Sequence, residues 1–329
     1  MKKIFITGGG GYVGSRLVPI LIKKGFQVTV YDKFYYGNYL IKNKNLKIVN
    51  GDIRNTLKLK KSCFNQEVFL HLACISNDSS FELNNNLSKT INYNAFEPMV
   101  IVAKEAKIKR FIYASTSSVY GISKKKNVTE EHDLVPLTLY NKYKGMCEPI
   151  LLRHTNNHFE GVIFRPATVC GYSPRMRLDL SVNILTNFAY HKGYIKLFGG
   201  NQLRPNLHIL DYCDVVIKLI NAPSKKVANQ IFNVGNENLS LKNLANIVKN
   251  KVKLKLKNNI QIIKSKSKDL RSYHIDSSKI KNVLNFKPKR RVIDAIEELC
   301  NAFKKKEIVN TFDNYRYYNV QTLKRLKIK

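Results

Sequence analysis

The chain has 329 residues, with 57 Lys+Arg against 23 Asp+Glu, a formal net charge of +34. At 44% hydrophobic it can bury a core, which excludes a disordered chain, and 16 Gly and 9 Pro are too few for a fibrous one. No apolar run approaches the ~20 residues of a membrane helix.

The opening Met1-Lys2-Lys3-Ile4-Phe5-Ile6 is like the start of a signal peptide, but the apolar run stops at Thr7-Gly8-Gly9-Gly10-Gly11, too early for a secretory core. A mature, cytoplasmic N-terminus is the expectation. Cys63, Cys74, Cys147, Cys170, Cys213 and Cys300 are too far apart for a metal or redox pair, so reduced thiols and no metal are expected. The basic runs, such as Lys58-Leu59-Lys60-Lys61, Lys124-Lys125-Lys126 and Lys304-Lys305-Lys306, carry no interleaved aromatics. Nucleic-acid grooves normally use such rings as stacking platforms. The runs therefore read as solvated faces rather than a nucleic-acid surface, although the charge favours approach of an anionic small substrate.

In chain order, 3–7, 27–31, 46–50, 68–71, 110–115 and 161–169 read as strands, with helices over 12–24, 87–106 and 139–153 between them. Strands alternating with helices indicate a parallel sheet covered on both faces. Further on, helices are expected near 180–191, 211–221, 241–251, 277–284 and 292–305, with strands near 195–198 and 230–234. The expected fold class is α/β: a doubly wound Rossmann sheet over 1–170, with 207–235 returning to it. Residues 171–206 and 236–329 would form a smaller mixed α/β substrate lobe.

The first strand runs into Gly8, Gly11 and Gly14, spaced G-x-x-G-x-x-G, and a helix follows at once. Glycine allows a tight turn and close approach of backbone to a pyrophosphate at the helix N-terminus. Asp32 ends the second strand, where a carboxylate accepts bonds from ribose hydroxyls and repels a 2′-phosphate. The expected cofactor is thus NAD rather than NADP. Downstream, Tyr140 and Lys144 share one helix face. A phenol is a poor base near neutral pH, and a neighbouring ammonium favours its ionised form. The pair is an expected acid/base for a sugar hydroxyl.

At these residues the chain resembles the extended short-chain dehydrogenase/reductase family, in its nucleotide-sugar epimerase and dehydratase group. Thr7 to Gly14 is similar to the T-G-x-x-G-x-x-G loop, which implies cofactor contacts from Gly8, Gly11, Tyr12, Val13 and Gly14. Gly51-Asp52-Ile53-Arg54 resembles the segment whose Asp, here Asp52, meets the adenine, with Ile53 beside it. His71-Leu72-Ala73 resembles the H-x-A segment beside the cofactor, which implies contacts from Leu72 and Ala73. Phe111 to Gly121 is similar to F-x-x-x-S-S/T-x-x-V-Y-G, which implies a catalytic Thr116 and a cofactor contact at Ser115. Arg165-Pro166-Ala167-Thr168-Val169-Cys170-Gly171 resembles the stretch flanking the nicotinamide, which implies Pro166. Gly199 to Asp211 and Arg271 resemble the substrate segments, in which Arg204 and Arg271 would hold the nucleotide diphosphate. Asn183 falls near a substrate-contacting Asn.

Where the dehydratases resemble T-D-E-V-Y-G, this chain has Thr116-Ser117-Ser118-Val119-Tyr120-Gly121. A hydroxyl cannot replace a carboxylate as a general acid near neutral pH, so elimination of water is disfavoured. The resemblance implies an NAD-dependent epimerase of a nucleotide-diphosphate sugar, acting as a homodimer. A reductase of a nucleotide-linked keto-sugar uses the same residues, and a non-catalytic NAD- or RNA-binding derivative has only the charge in its favour.

Overall fold

The structure is a computed structural model and describes residues 1–123, 127–265 and 272–327. Its described strands are β1 (Lys3–Thr7), β2 (Gln27–Asp32), β3 (Leu46–Asn50), β4 (Val68–His71), β5 (Arg110–Ala114), β6 (Glu160–Pro166), β7 (Thr168–Cys170), β8 (Tyr194–Phe198), β9 (Leu203–His208), β10 (Gln230–Val234), β11 (Glu237–Ser240) and β12 (Gln261–Ser265). The helices are α1 (Tyr12–Lys23), α2 (Thr56–Cys63), α3 (Asp78–Phe81), α4 (Asn85–Lys89), α5 (Phe96–Glu105), α6 (Leu139–Arg153), α7 (Ser181–Lys192), α8 (Ile209–Asn221), α9 (Ser224–Val227), α10 (Leu241–Leu256), α11 (Ser278–Leu284), α12 (Val292–Lys304) and α13 (Asn319–Leu326).

Seven strands pair in parallel in the order β3-β2-β1-β4-β5-β6-β10. Their apolar runs serve two faces at once. On one face Leu17 and Val18 of α1 and Val215 and Val216 of α8 pack with Ile4, Val28, Val162 and Phe232. On the other, Met99 of α5, Leu59 of α2 and Ile150 of α6 pack with Phe5, Phe69 and Phe111. At about 25 cal/mol per Å² of apolar surface removed from water, these two layers carry most of the driving force for folding. A separate cluster joins α7, α10 and α12 to β8 through Val182, Leu244, Ala295 and Ile195.

The sequence expectation of a parallel α/β sheet holds, with local differences. The helix expected over 87–106 is broken by a π-turn over Thr90–Asn94. There the Asn92 amide leaves the helix surface to bond both backbone groups of Ile75, at 2.8 and 2.9 Å. A polar side chain spent on a neighbouring loop is a usual reason for such an irregular turn. The strand expected over 161–169 divides after Pro166, which has no N–H to extend a ladder. β7 then joins a second sheet with β9 and β11, and β12 pairs with β8.

Candidate active site

The carboxyl ends of β1, β2, β4, β5 and β6 open on a cleft of about 580 Å³. Ligands of doubly wound sheets bind in this position, because the helices there present their N-termini. Gly11 is the N-cap of α1 and supplies no side-chain cap, so the first-turn N–H groups are left for a ligand. Gly8 is obligatory on two counts. Its φ is +76°, and a Cβ would lie 2.5 Å from the Ala73 nitrogen. A Cβ on Gly14 would lie 2.4 Å from the Gly9 oxygen, so the helix could not start where it does.

Asp32 closes the loop from the side. Its Oδ2 accepts from the Gly10 N–H at 2.9 Å and its Oδ1 from the Phe34 N–H at 2.7 Å. Burial raises its pKa above the usual range, against the lowering by those amides and by the positive Arg175. Gly8, Gly11, Tyr12, Val13, Gly14, Asp32, Asp52, Ile53, Leu72, Ala73, Ser115 and Pro166 all line the cleft. Asp52 is tied to Arg54 at 2.7 Å and stays ionised: burial raises its pKa, but the Arg54 hydrogen bond and charge more than reverse this.

Thr116, Tyr140 and Lys144 line the same cleft. Thr138 caps α6, accepting from the Asn141 N–H at 3.3 Å while donating to Asp78 at 2.6 Å. This fixes the helix start at which Tyr140 stands. Lys144 is buried. It donates to the Ala114 carbonyl at 2.5 Å and stands over the Tyr113 ring at 4.6 Å. Burial dominates the phenol of Tyr140 and raises its pKa well above the ordinary value; among the smaller influences Arg177 lowers it. In the protein alone the net shift of the phenol is upward, because burial outweighs the favourable charges. In this arrangement one ammonium N–H goes to the end of β5, and Arg177 is a cation that acts on the phenol.

Arg204 also lines the cleft, with its Nη1 donating to the Leu203 carbonyl at 2.9 Å. Asn183 does not line it. Its amide lies inside the wall, accepting from the Gly171 N–H and donating to the Tyr12 hydroxyl and the Arg177 carbonyl, at 3.1, 3.1 and 2.8 Å. There it secures the glycine loop against β7's exit. Arg271 lies outside the described residues.

Sequence reasoning missed a polar cluster on the opposite wall. Arg177 is paired with Asp179 at 2.9 Å and donates to Ser76 at 3.2 Å. Asn319, at the start of α13, donates its N–H to Asp179 and its Nδ2 to Ser76, and accepts from Arg175. The available signal was Arg175-Met176-Arg177-Leu178-Asp179, a charged–apolar alternation whose Met176 and Leu178 prove to be buried.

The fold and the uncapped, glycine-lined helix start with an acid at the end of the second strand define a dinucleotide-binding protein. The sequence pattern of the NAD dependent epimerase/dehydratase family matches residues 4–235, and the chain belongs to that family. It is therefore an NAD-dependent enzyme. It is 25% identical over 317 residues to a UDP-glucose 4-epimerase of Lactobacillus helveticus, covering 89% of this chain and 94% of that one. It is 26% identical over 319 residues to UDP-glucuronic acid decarboxylase 1 of Arabidopsis thaliana, covering 92% and 70%. A UDP-glucuronic acid 4-epimerase from Bacillus cereus, solved with UDP-glucuronic acid and NAD, superposes with a TM-score of 0.80 at 25% identity. That match covers 92% of this chain and 99% of the other. Among the described residues no group of three or more His, Cys, Asp or Glu could hold a metal ion, and no helix is long and apolar enough to cross a membrane.

Proposed function

We propose that this enzyme epimerises a nucleoside-diphosphate sugar at a hydroxyl-bearing carbon. The observation that carries the reading is the gathering of Thr116, Tyr140 and Lys144 on one cleft with the glycine loop, while hydroxyls stand at 117 and 118. Ser118 is bonded to the Tyr273 hydroxyl at 2.8 Å, and neither position offers the carboxyl that elimination of water would need.

The first-turn amides of α1 would take the dinucleotide's diphosphate, Asp32 its adenosine ribose, and Asp52 and Ile53 the adenine. Leu72, Ala73, Ser115 and Pro166 would line its path, and Lys144 would hold the nicotinamide ribose. Bound there, NAD would supply a reversible hydride acceptor for the sugar carbon. Tyr140 removes the proton of the sugar hydroxyl and later gives it back. It does so in its phenolate form, which burial makes costly and which the Arg177 charge favours. Thr116 holds the reacting oxygen. Arg204, and Arg271 with it, would hold the sugar nucleotide by its diphosphate, for which a guanidinium fork is suited. A second copy would pack on α5 and α6, whose Ile101 and Met146 are 40% and 36% exposed. Six unpaired cysteines fit a reducing, cytoplasmic setting.

The test is turnover of UDP-glucose and UDP-glucuronic acid in deuterated water, with wild type and Y140F. An epimerase of this kind places no solvent deuterium on the inverted carbon and consumes no added NADH. Y140F keeps the ring and its packing near Phe81, at 6.5 Å between centroids, and should lose about 10²–10⁴ in kcat while still binding NAD. Stoichiometric NADH consumption would identify a reductase, and a fully active Y140F would refute the mechanism.

A further inference from the structure

Among the described residues, Arg175 is a cleft guanidinium to which the proposed reaction gives no role. Arg175 is 2% exposed and is among the largest fully buried side chains. Its backbone N–H donates to the Ser15 hydroxyl at 3.2 Å, and the adjacent Ser173 hydroxyl donates to the Tyr12 carbonyl at 2.7 Å. The segment is thereby docked on the first turn of α1, where the glycine loop leaves its amides open. The guanidinium reaches across to lie 3.9 Å from the Tyr36 ring centroid, and Asn319 accepts one of its N–H bonds.

Two polar atoms in this contact are left without partners. They are Arg175 Nε and the Tyr36 hydroxyl, both buried and both on residues that line the cleft. Among the described residues no carboxylate stands within ion-pairing distance of Arg175; Asp179 and Asp32 act on it only through space. Burying a cation without a counter-charge is costly, and such groups are normally paired. An anion in the cleft beside the first turn of α1 would offer acceptors to these two donors and a nearer counter-charge to the guanidinium. In a dinucleotide, the group between the adenosine ribose and the nicotinamide half is the diphosphate.

We propose that Arg175, positioned by Asn319, binds the diphosphate of NAD alongside the first turn of α1. The dinucleotide is then gripped by two groups, the neutral amides of α1 and a guanidinium carried on the segment after β7. Asn319 ties this grip to α13, 84 residues beyond the end of the matched family pattern (319 − 235). The proposal rests on the NAD assignment of the cleft.

Calorimetry with NAD, ADP-ribose, NADP and adenosine on wild type, R175Q, R175K and N319A tests it. R175Q should raise the Kd of NAD and ADP-ribose about 10- to 100-fold, the value of a charged hydrogen bond, and leave adenosine unchanged. R175K should recover part of the loss, and N319A should reproduce the pattern more weakly. Without ligand, R175Q should melt no lower than wild type, because it removes a buried charge that has no direct ion pair. Equal NAD affinity in wild type and R175Q overturns the proposal. So does an equal loss for adenosine with a lowered melting temperature, which makes Arg175 structural. A loss confined to NADP overturns it in favour of a 2′-phosphate contact. A wild type that binds no NAD would instead remove the cofactor assignment on which the proposal stands.

Discussion

At the scale of single residues, Asp32 is a carboxylate that already serves the loop and that we propose also serves the ligand. Each oxygen accepts one backbone N–H, from Gly10 and from Phe34, and each keeps lone-pair capacity toward the cleft. The same two bonds fix it where a 2′-phosphate would meet a negative charge. NAD should therefore bind at least about tenfold tighter than NADP, a difference of about 1.4 kcal/mol. Titration calorimetry of both at one ionic strength checks this, and D32A should narrow the gap. Equal dissociation constants would show that Asp32 faces something other than the ribose. Tyr140 carries the complementary lesson. Burial holds its phenol protonated, so the rate should climb as pH rises, and Y140F should lack that climb.

At the scale of elements, the start of α1 is held in register by α12. Glu298 on α12 accepts from Arg16 of α1 at 2.9 Å and from the Tyr172 N–H at 2.9 Å, and pairs with His208, the last residue of β9, at 3.3 Å. Burial alone would raise its pKa. The His208 hydrogen bond, the Tyr172 amide and the nearby charges outweigh it, and the net shift is below the ordinary 4.5. A carboxyl lowered on folding stabilises the protein above its unfolded pKa and loses that contribution as pH falls through the folded value. Melting temperature should thus fall on acidification below about pH 4.5, and E298Q should show a shallower fall over that window, starting from a lower value at neutral pH. An unchanged acid slope in E298Q would mean that the carboxyl carries no linkage.

At the scale of the whole molecule, the cleft is a seam. The sheet ends supply the loop, Asp32, Thr116 and α6, while residues after β6 supply Arg175, Arg177, Arg204 and Tyr273. Ligands that lie across the seam draw on both sides, yet the individual contacts are separable. R204A should weaken a nucleotide-sugar by about 1.5–3 kcal/mol, the range for a charged hydrogen bond, with NAD affinity unchanged. Melting curves with each ligand at saturation would read this, since a ligand at 100 times its Kd adds about 2.7 kcal/mol of stability. An equal loss for both ligands would mean that the seam itself had shifted.

The sequence by itself determined the parts whose information is local. A strand, a four-residue glycine loop and a helix are contiguous from Lys3 to Lys23, and the period of a helix is enough to place Tyr140 and Lys144 one turn apart. Continuous apolar runs made the central strands legible, because a parallel sheet buries both faces. Tertiary structure decided what depends on convergence. Arg175 meets Asn319 across 144 residues and Tyr36 across 139 (175 − 36), and no periodic signal spans such distances. Asn92 breaks a helix only because Ile75 lies beside it, and β9, β11 and β12 are strands only because of the partners that meet them. Asn183 spends its amide on Tyr12, 171 residues away, and Lys144 gives an ammonium N–H to the end of β5. Spacing along the chain sets which side chains share a face. Packing sets which of their polar atoms remain for a ligand, because every buried donor and acceptor first seeks a partner within the fold.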